Sequence, residues 1–321
     1  MNLLSLFDGA SCGQLALERA KFKVNNYFAS EVDPYAIKVA VKNYPNTVQL
    51  GNVVEWQKWN LPQIDLLIGG SPCQGFSFAG KQLNFDDPRS KLFFEYVKIL
   101  KHFKPKYFFL ENVKMKQWCQ DIISQMLGVE PIEINSSLVS AQNRERLYWT
   151  NIPNVTQPED RGILLEDITL DDEFTIGAAM RGRYIPNGNG KTQQFIEIRK
   201  DKKMNAITTV EKNTILVHKC HQVGVTEDIK GFDIIKRVYS KKGKSPTLTT
   251  MQGDHREPKI AVDDIQWRKL LPIEMERLQT MPDNYTEGVS DTQRKKIIGN
   301  AWTVDVIAHI FTHIPSPVLI N

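Results

Sequence analysis

Short apolar runs alternate with amphipathic segments through the first half of the chain. Residues 3–7, 27–29, 64–68 and 107–110 form near-continuous hydrophobic runs, the pattern of strands buried on both faces. Between them, residues 13–20, 34–44, 92–103 and 118–127 carry helical spacing. This alternation predicts an α/β fold with a doubly wound, mostly parallel sheet. Residues 132–138 and 146–150 read as two further strands with 142–146 at their turn, a pair suited to an antiparallel edge.

The pattern changes after about residue 158. Residues 159–172 are acidic and turn-rich, and 180–258 are rich in Gly, Lys, Thr and short β-like runs. Two fragments echo each other there, Met204-Asn205-Ala206-Ile207-Thr208-Thr209-Val210 and Ser245-Pro246-Thr247-Leu248-Thr249-Thr250-Met251. They predict a second, smaller, β-rich unit with a weak internal repeat. Helical periodicity returns at 273–281, and a last helix is expected from about 302 to 313.

The ends of the four early runs differ chemically. They deliver Asp8-Gly9-Ala10-Ser11, Glu31, Pro72-Cys73 and Glu111-Asn112. Ligands of open α/β sheets sit outside the carboxyl ends of the strands, so a thiol, carboxylates and a glycine loop converge on one crevice. That convergence points to an enzyme. Cys73 is the one cysteine beside a proline on a loop after a buried run, which makes it the candidate nucleophile. Cys119 and Cys220 fit small buried hydrophobes instead. Glu111 follows Tyr107-Phe108-Phe109-Leu110, where a carboxyl is expected to be partly desolvated and its pKa raised. Gly9 and Gly13 allow backbone to pass close to a ligand, and Glu31 is placed to accept hydrogen bonds from ribose hydroxyls. The loop lacks Gly-x-Gly-x-x-Gly spacing, which disfavours a dinucleotide.

Composition narrows the setting. The chain has 321 residues, 41% hydrophobic and 24% charged, enough for a sizeable core. No apolar stretch approaches the ~20 residues of a membrane span, and a strand begins at once at the N-terminus, so neither membrane insertion nor secretion is expected. The four cysteines are scattered without a Cys-x-x-Cys pair, which fits a reducing, cytoplasmic compartment. His218-Lys219-Cys220-His221 places three ligands within four residues, too close to complete a tetrahedron, and no metal site is expected. Net charge is only +4, but Lys and Arg concentrate at 181–203 and 236–244, a density that suits phosphate contact.

Five segments in order, Phe7-Asp8-Gly9, Gly70-Ser71-Pro72-Cys73-Gln74, Glu111-Asn112-Val113, Gln142-Asn143-Arg144-Glu145-Arg146 and Gly299-Asn300-Ala301, resemble the motif series of the S-adenosylmethionine-dependent DNA cytosine carbon-5 methyltransferases. The resemblance runs from Leu3 to Ile310 and implies a class I, Rossmann-like methyltransferase fold. It implies a catalytic unit of residues 1–161 and 300–321, and a target-recognition unit of residues 162–299. Its expected cofactor is S-adenosyl-L-methionine and its expected partner double-stranded DNA, bound by a monomer. The bacterial or phage type fits best, including enzymes of restriction-modification systems.

Carried over residue by residue, the resemblance assigns cofactor contacts to Phe7, Asp8, Gly9, Gly13, Glu31, Val32, Val53, Pro72, Leu92, Asn300 and Trp302. Asn52 stands where the family usually has an aspartate accepting the adenine amino group, and a neutral oxygen makes a weaker acceptor there. For catalysis it implies that Cys73 attacks carbon 6 of a flipped-out cytosine and Glu111 shares a proton with ring nitrogen 3. Asn112 positions the loop, and Arg144 and Arg146 supply fixed positive charge near the thiolate and the cytosine carbonyl, with Arg144 the main catalytic candidate and Gln142 and Arg146 its supports. Residues 76–91 have the composition of a lid. Two alternatives stand beside this reading: a tRNA cytosine methyltransferase, disfavoured by the basic β-rich insert, and a catalytically silent DNA-binding relative, disfavoured by intact Cys73, Glu111 and Arg144.

Overall fold

The computed structural model describes residues 1–71, 88–170, 176–184, 192–199, 201, 203–207, 215–217, 238–239, 259–260 and 267–315. Pro72, Cys73, the 218–221 cluster, the second Thr-Thr echo and most of the expected lid lie outside them.

Strands β1 (Asn2–Leu6), β2 (Asn26–Ser30), β3 (Val48–Gln49), β4 (Leu66–Gly69), β5 (Tyr107–Val113), β6 (Ile132–Asn135) and β8 (Glu145–Thr150) form one seven-stranded sheet, with β7 (Gln142–Asn143) standing outside it. Its order is β3-β2-β1-β4-β5-β8-β6. The first five strands run parallel, whereas β8 pairs antiparallel with both β5 and β6. The doubly wound, mostly parallel sheet and its antiparallel edge are as the alternation predicts.

Side chains leave successive strand positions on opposite faces, and two cores follow. Leu3, Leu66, Ile68 and Phe109 face α1 (Cys12–Arg19), α2 (Pro34–Asn43) and, through Val304, Ile307 and Phe311, the last helix α7 (Val304–Thr312). Leu4, Leu6, Leu67, Phe108 and Leu110 face the other way, onto α3 (Pro88–Phe103) and α4 (Gln117–Leu127) through Phe93, Tyr96, Cys119 and Ile123. The result is three layers, helices on both faces of the sheet. α2 starts at Pro34 with Asp33 as cap, its Oδ1 accepting the Tyr35 N–H at 2.9 Å, and α4 ends at Gly128 with φ 74°. α3 begins four residues before the predicted helix and takes in the end of the expected lid.

The remaining strands are β9 (Ile176–Tyr184), β10 (Thr192–Ile198), β11 (Met204–Asn205), β12 (Ile215–Val217), β13 (Val238–Tyr239), β14 (Lys259–Ile260) and β15 (Trp267–Lys269). They build a β10-β9-β12-β15 sheet and a β13-β14 pair. β11 instead pairs in parallel with β7, Met204 opposite Gln142 and Asn205 opposite Asn143. Gln142 and Asn143 are therefore ladder residues rather than the tip of a turn. Helices α5 (Pro272–Leu278) and α6 (Asp291–Asn300) complete the order. The sequence places 162–299 in the second unit, yet Met281, Tyr285 and Ile297 sit in the core with Leu3 and Tyr27. The Tyr285 hydroxyl donates to the Ala10 carbonyl at 2.7 Å, so these residues pack with the large sheet.

Candidate active site

The chain winds outward from β1 through β2 to β3, then returns to β4 and β5 on the other side of β1. The strand order thus reverses between β1 and β4, where a ligand crevice is expected. A cavity of about 720 Å³ lies there. Its walls come from the segments after β1, β2 and β4, from the end of β5, from Arg144 and Arg146, and from residues 296–302.

The loop after β1 is held in an uncommon conformation. Phe7, Gly9 and Ser11 all have left-handed backbone, with φ of 58°, 59° and 59°. Glycine adopts this freely, whereas Phe and Ser do so at a cost that surrounding structure must hold in place. The Asp8 N–H donates to the Ser30 carbonyl at 3.2 Å and the Gly9 N–H to Glu31 Oε2 at 2.8 Å. Glu31 Oε1 accepts from Val32 and Asp33 N–H at 2.7 and 2.9 Å. A carboxylate has about four acceptor positions, and three of those on Glu31 are taken by backbone. Asp8 is buried, and its carboxyl accepts from Ser11 Oγ at 2.5 Å and Tyr27 Oη at 2.6 Å. Burial pushes its pKa up from the ordinary aspartate value, against those hydrogen bonds.

Phe7, Asp8, Gly9, Glu31, Val32, Asn52, Val53, Leu92, Asn300 and Trp302 all line the cavity. Gly13 does not. A Cβ there would meet Ile68 Cδ1 at 2.3 Å and Tyr27 Oη at 2.9 Å, so its smallness serves helix–sheet packing. Asn52 Oδ1 accepts the Val54 N–H at 3.2 Å, capping the short helix Val53–Lys58. Pro72 lies outside the described residues.

Glu111, which also lines the cavity, is 9% exposed, and Arg146 Nε stands 3.0 Å from its Oε1. The pair is a close ion contact without hydrogen-bond alignment, and Arg146 Nε has no hydrogen-bond partner. Asn112 Nδ2 donates to the Ser71 carbonyl at 3.4 Å, and its Oδ1 accepts the Val113 N–H at 2.8 Å. Asn112 thus ties the end of β5 to Ser71, at the end of the described segment after β4. Gly70 is closely packed: a Cβ there would meet Trp302 Nε1 at 3.0 Å and Glu111 Oε2 at 3.2 Å. Cys73, the expected nucleophile, lies outside the described residues. Of the described cysteines, Cys12 and Cys119 are buried, and burial raises the Cys12 thiol to about 12.

The two arginines and Gln142 divide differently from the sequence expectation. Arg144, expected to supply the charge at the reacting base, is 4% exposed and donates to the Ile207 carbonyl at 2.9 Å and the Ala301 carbonyl at 3.0 Å. Burial, then the charge of Arg146, brings its pKa down to about 10. Arg146, expected to support it, is the cation beside Glu111. Gln142 is fully buried and outside the cavity wall; Oε1 accepts the Ile207 N–H at 2.7 Å, and Nε2 donates to the Leu278 carbonyl and Gln279 Oε1. Gln279 is the residue that sequence reasoning misses. Its amide joins Gln142, Thr303 and the carbonyls of Ile298 and Ala301. Nothing in the local sequence marks it, because its partners lie at Gln142 and at 298–303, segments that only the fold brings beside it.

Among the described residues no cluster of His, Cys, Asp and Glu could hold a metal ion, and no helix is long and apolar enough to cross a membrane.

A doubly wound sheet with a cavity at its switch point, walled by a strained glycine loop and the Glu111–Arg146 ion pair, is the arrangement of a ligand-binding α/β enzyme. Residues 1–316 match the model of the C-5 cytosine-specific DNA methylases, and the chain belongs to that family. It is accordingly a DNA cytosine-5 methyltransferase. Its relatives include the orphan methyltransferase M.Rho11sI of Bacillus phage rho11s, 30% identical over 82% of this chain and 69% of that one. The type II methyltransferase M1.ScrFI of Lactococcus lactis subsp. cremoris is 30% identical over 95% of this chain and 75% of that one. Among solved structures, the Entamoeba histolytica methyltransferase EhMeth superposes with TM-score 0.62 at 17% identity, covering 98% and 97% of the two chains. The S. pombe Dnmt2 methyltransferase does so with TM-score 0.58 at 14% identity, covering 97% of each.

Proposed function

We propose that the chain transfers a methyl group from S-adenosylmethionine to carbon 5 of a flipped cytosine within a specific double-stranded DNA sequence, in the cytoplasm of a bacterium or phage-infected host. The observation that carries this is that the Glu111–Arg146 ion pair and loop residues 7–10 line one and the same cavity.

The residues present fit the cofactor. Ser71 Oγ and Arg146 Nε are buried without hydrogen-bond partners in residues that line the cavity, and Phe7, Val32 and Val53 give the same cavity apolar surface. Phe7, Val32, Val53, Leu92 and Trp302 would enclose the adenosine, with Glu31 and Asn52 as acceptors and Gly9 and Asn300 close to its path. When bound, S-adenosylmethionine supplies an electrophilic methyl group.

Ser71 lines the cavity, and covalent geometry keeps the Cys73 Cα within about 7 Å of the Ser71 Cα. The Cys73 thiolate adds to carbon 6, and the electron pair of the 5,6 double bond makes carbon 5 nucleophilic. Negative charge that builds toward nitrogen 3 is met by a proton shared with Glu111. Arg146 holds that carboxyl in place and offers a fixed cation to the base. Once carbon 5 carries the methyl group, a solvent water takes its proton. The released C5–H electron pair re-forms the 5,6 double bond, and the C6–S bond breaks to return the Cys73 thiolate. On this reading residues 1–161 with 270–315 carry the chemistry, and the strands between them carry target recognition.

Cys73→Ser is expected to abolish methylation in bisulfite sequencing of host DNA, and to abolish the trapped adduct with 5-fluorocytosine duplex, while leaving cofactor binding measurable by calorimetry. An adduct that persists in Cys73→Ser would overturn the assignment. Methylation found only in RNA would overturn the substrate.

A further inference from the structure

Ile207 lies in the first Thr-Thr echo, far from the cavity loops in sequence, yet two active-site motif residues hold its backbone. Its N–H donates to Gln142 Oε1 at 2.7 Å and its carbonyl accepts from Arg144 Nη1 at 2.9 Å. The rest of the segment is docked as firmly. The Met204 N–H donates to the Ala141 carbonyl at 2.8 Å, and Lys203 Nζ donates to the carbonyls of Ser137 and Ile163 at 2.9 and 3.1 Å. Met204 and Ile207 are fully buried.

The same guanidinium reaches the other way. Arg144 Nη2 donates to the Ala301 carbonyl at 3.0 Å, between Asn300 and Trp302 of the cavity wall. The guanidinium is one rigid plane, so its two donors cannot be repositioned independently. A shift of the Ile207 carbonyl must therefore turn the fork that holds Ala301, or break one of the two bonds. In a buried site, breaking one leaves an unpaired donor and acceptor, which is disfavoured.

We propose that Arg144 is a positioning residue that couples the 203–207 segment to the 299–302 loop, so that cofactor in the cavity and DNA on the second unit strengthen each other's binding. This rests on the cofactor reading given above. Coupling between two sites is reciprocal, and factors of about 5- to 150-fold are typical. The geometry assigns Arg144 this role in place of a contact with the reacting base.

The test is hydrogen exchange of the full chain with S-adenosylhomocysteine as the probe. In the unmodified protein, added S-adenosylhomocysteine should slow exchange at Gly9 and Val32, beside the cavity, and also at 203–207. Arg144→Lys keeps the charge but loses the planar fork. It should abolish the change at 203–207, and it should weaken S-adenosylhomocysteine far more in the presence of a duplex carrying the methylated site than in its absence. Slowing at Gly9 and Val32 with no change at 203–207 in the unmodified protein overturns the proposal, whatever the stability of the variant. Equal weakening with and without DNA also overturns it, because Arg144 would then be a simple contact. No slowing at either place overturns the cofactor reading itself, and the coupling with it.

Discussion

A Cβ on Gly13 would lie 2.3 Å from Ile68 Cδ1 and 2.9 Å from Tyr27 Oη, whereas one on Gly70 would lie against Trp302 and Glu111 at 3.0 and 3.2 Å. The two alanine substitutions should therefore fail differently. Gly13→Ala gains about 1 kcal/mol of helix propensity, but forcing a methyl into a filled core costs about 1–3 kcal/mol. Tyr27 cannot easily withdraw, since its hydroxyl is engaged by Asp8. A net loss of stability is expected, read as a lower urea midpoint with activity retained in the folded fraction. Gly70→Ala presses on site residues instead, so turnover should fall while the urea midpoint moves little. Equal midpoint shifts in both would refute the distinction. Asn52→Asp keeps the cap on Val54 and offers a charged acceptor in the cavity. If Asn52 accepts from the adenine amino group, the cofactor should tighten by up to about 1–2 kcal/mol, the gap between neutral and charge-assisted hydrogen bonds. Calorimetry showing equal or weaker binding would remove Asn52 from the adenine contact. The contrast between Gly9 and Gly13 shows what a sequence can and cannot express at this scale. Gly9 sits at φ 59° in the loop that its neighbours announce, while the need for Gly13 arises from Ile68 and Tyr27, residues brought beside it only by the sheet.

Helices α5 and α6 are joined by a buried charge rather than by a broad apolar face. Glu276 is fully buried and accepts the N–H groups of Asn284 and Thr286 at 2.7 and 2.8 Å, the Thr286 hydroxyl at 2.5 Å and Arg294 Nη2 at 3.0 Å. Removing one partner of such a pair leaves the other charge uncompensated, at about 3–5 kcal/mol. Arg294 keeps its side chain 11% exposed, which places the expected cost of Glu276→Ala near about 3 kcal/mol. Urea denaturation checks it, and a loss under about 1 kcal/mol would show the pair to be dispensable. This arrangement also explains why α6 escapes a reading of hydrophobic spacing. Asp291-Thr292-Gln293-Arg294-Lys295-Lys296 is polar throughout, and burial begins only at Ile297. By contrast α7 has Val304, Ile307, Ile310 and Phe311 on one face, and its extent is legible to within two residues. Four of the five parallel strands, β1, β2, β4 and β5, are legible for the same reason, since burial on both faces leaves continuous apolar runs, whereas β3 is two residues long with Val48 exposed and carries no such run. β7 is not, because a two-residue ladder with Met204 and Asn205 has no local signature.

At the scale of the whole molecule the charge distribution matters more than its sum. A net +4 on 321 residues is slight, yet Arg181 and Arg183 lie on β9 and further basic residues cluster at 199–203 and 236–244. Lys241, Lys242, Lys212 and Gln252 lie outside the described residues, and their expected roles follow from sequence and polyelectrolyte physics. Phosphate contacts release counterions and make affinity fall with salt, at about 0.9 log–log units per phosphate on duplex DNA, but they carry no sequence information. Base-edge contacts do the reverse, specifying the site with little effect on the slope. Neutralising Lys241 and Lys242 together should then weaken binding to every duplex alike and flatten the salt dependence by about one unit for each phosphate that no longer has a cation beside it. Changing Gln252 or Lys212, beside the Thr-Thr echoes, should instead alter which cytosines are methylated. A salt titration and a methylation map for each variant separate the two classes. If the lysine pair leaves the slope unchanged while Gln252 and Lys212 variants lose activity equally at all sites, the basic clusters are solvated surface and the sequence reader lies on another part of the molecule.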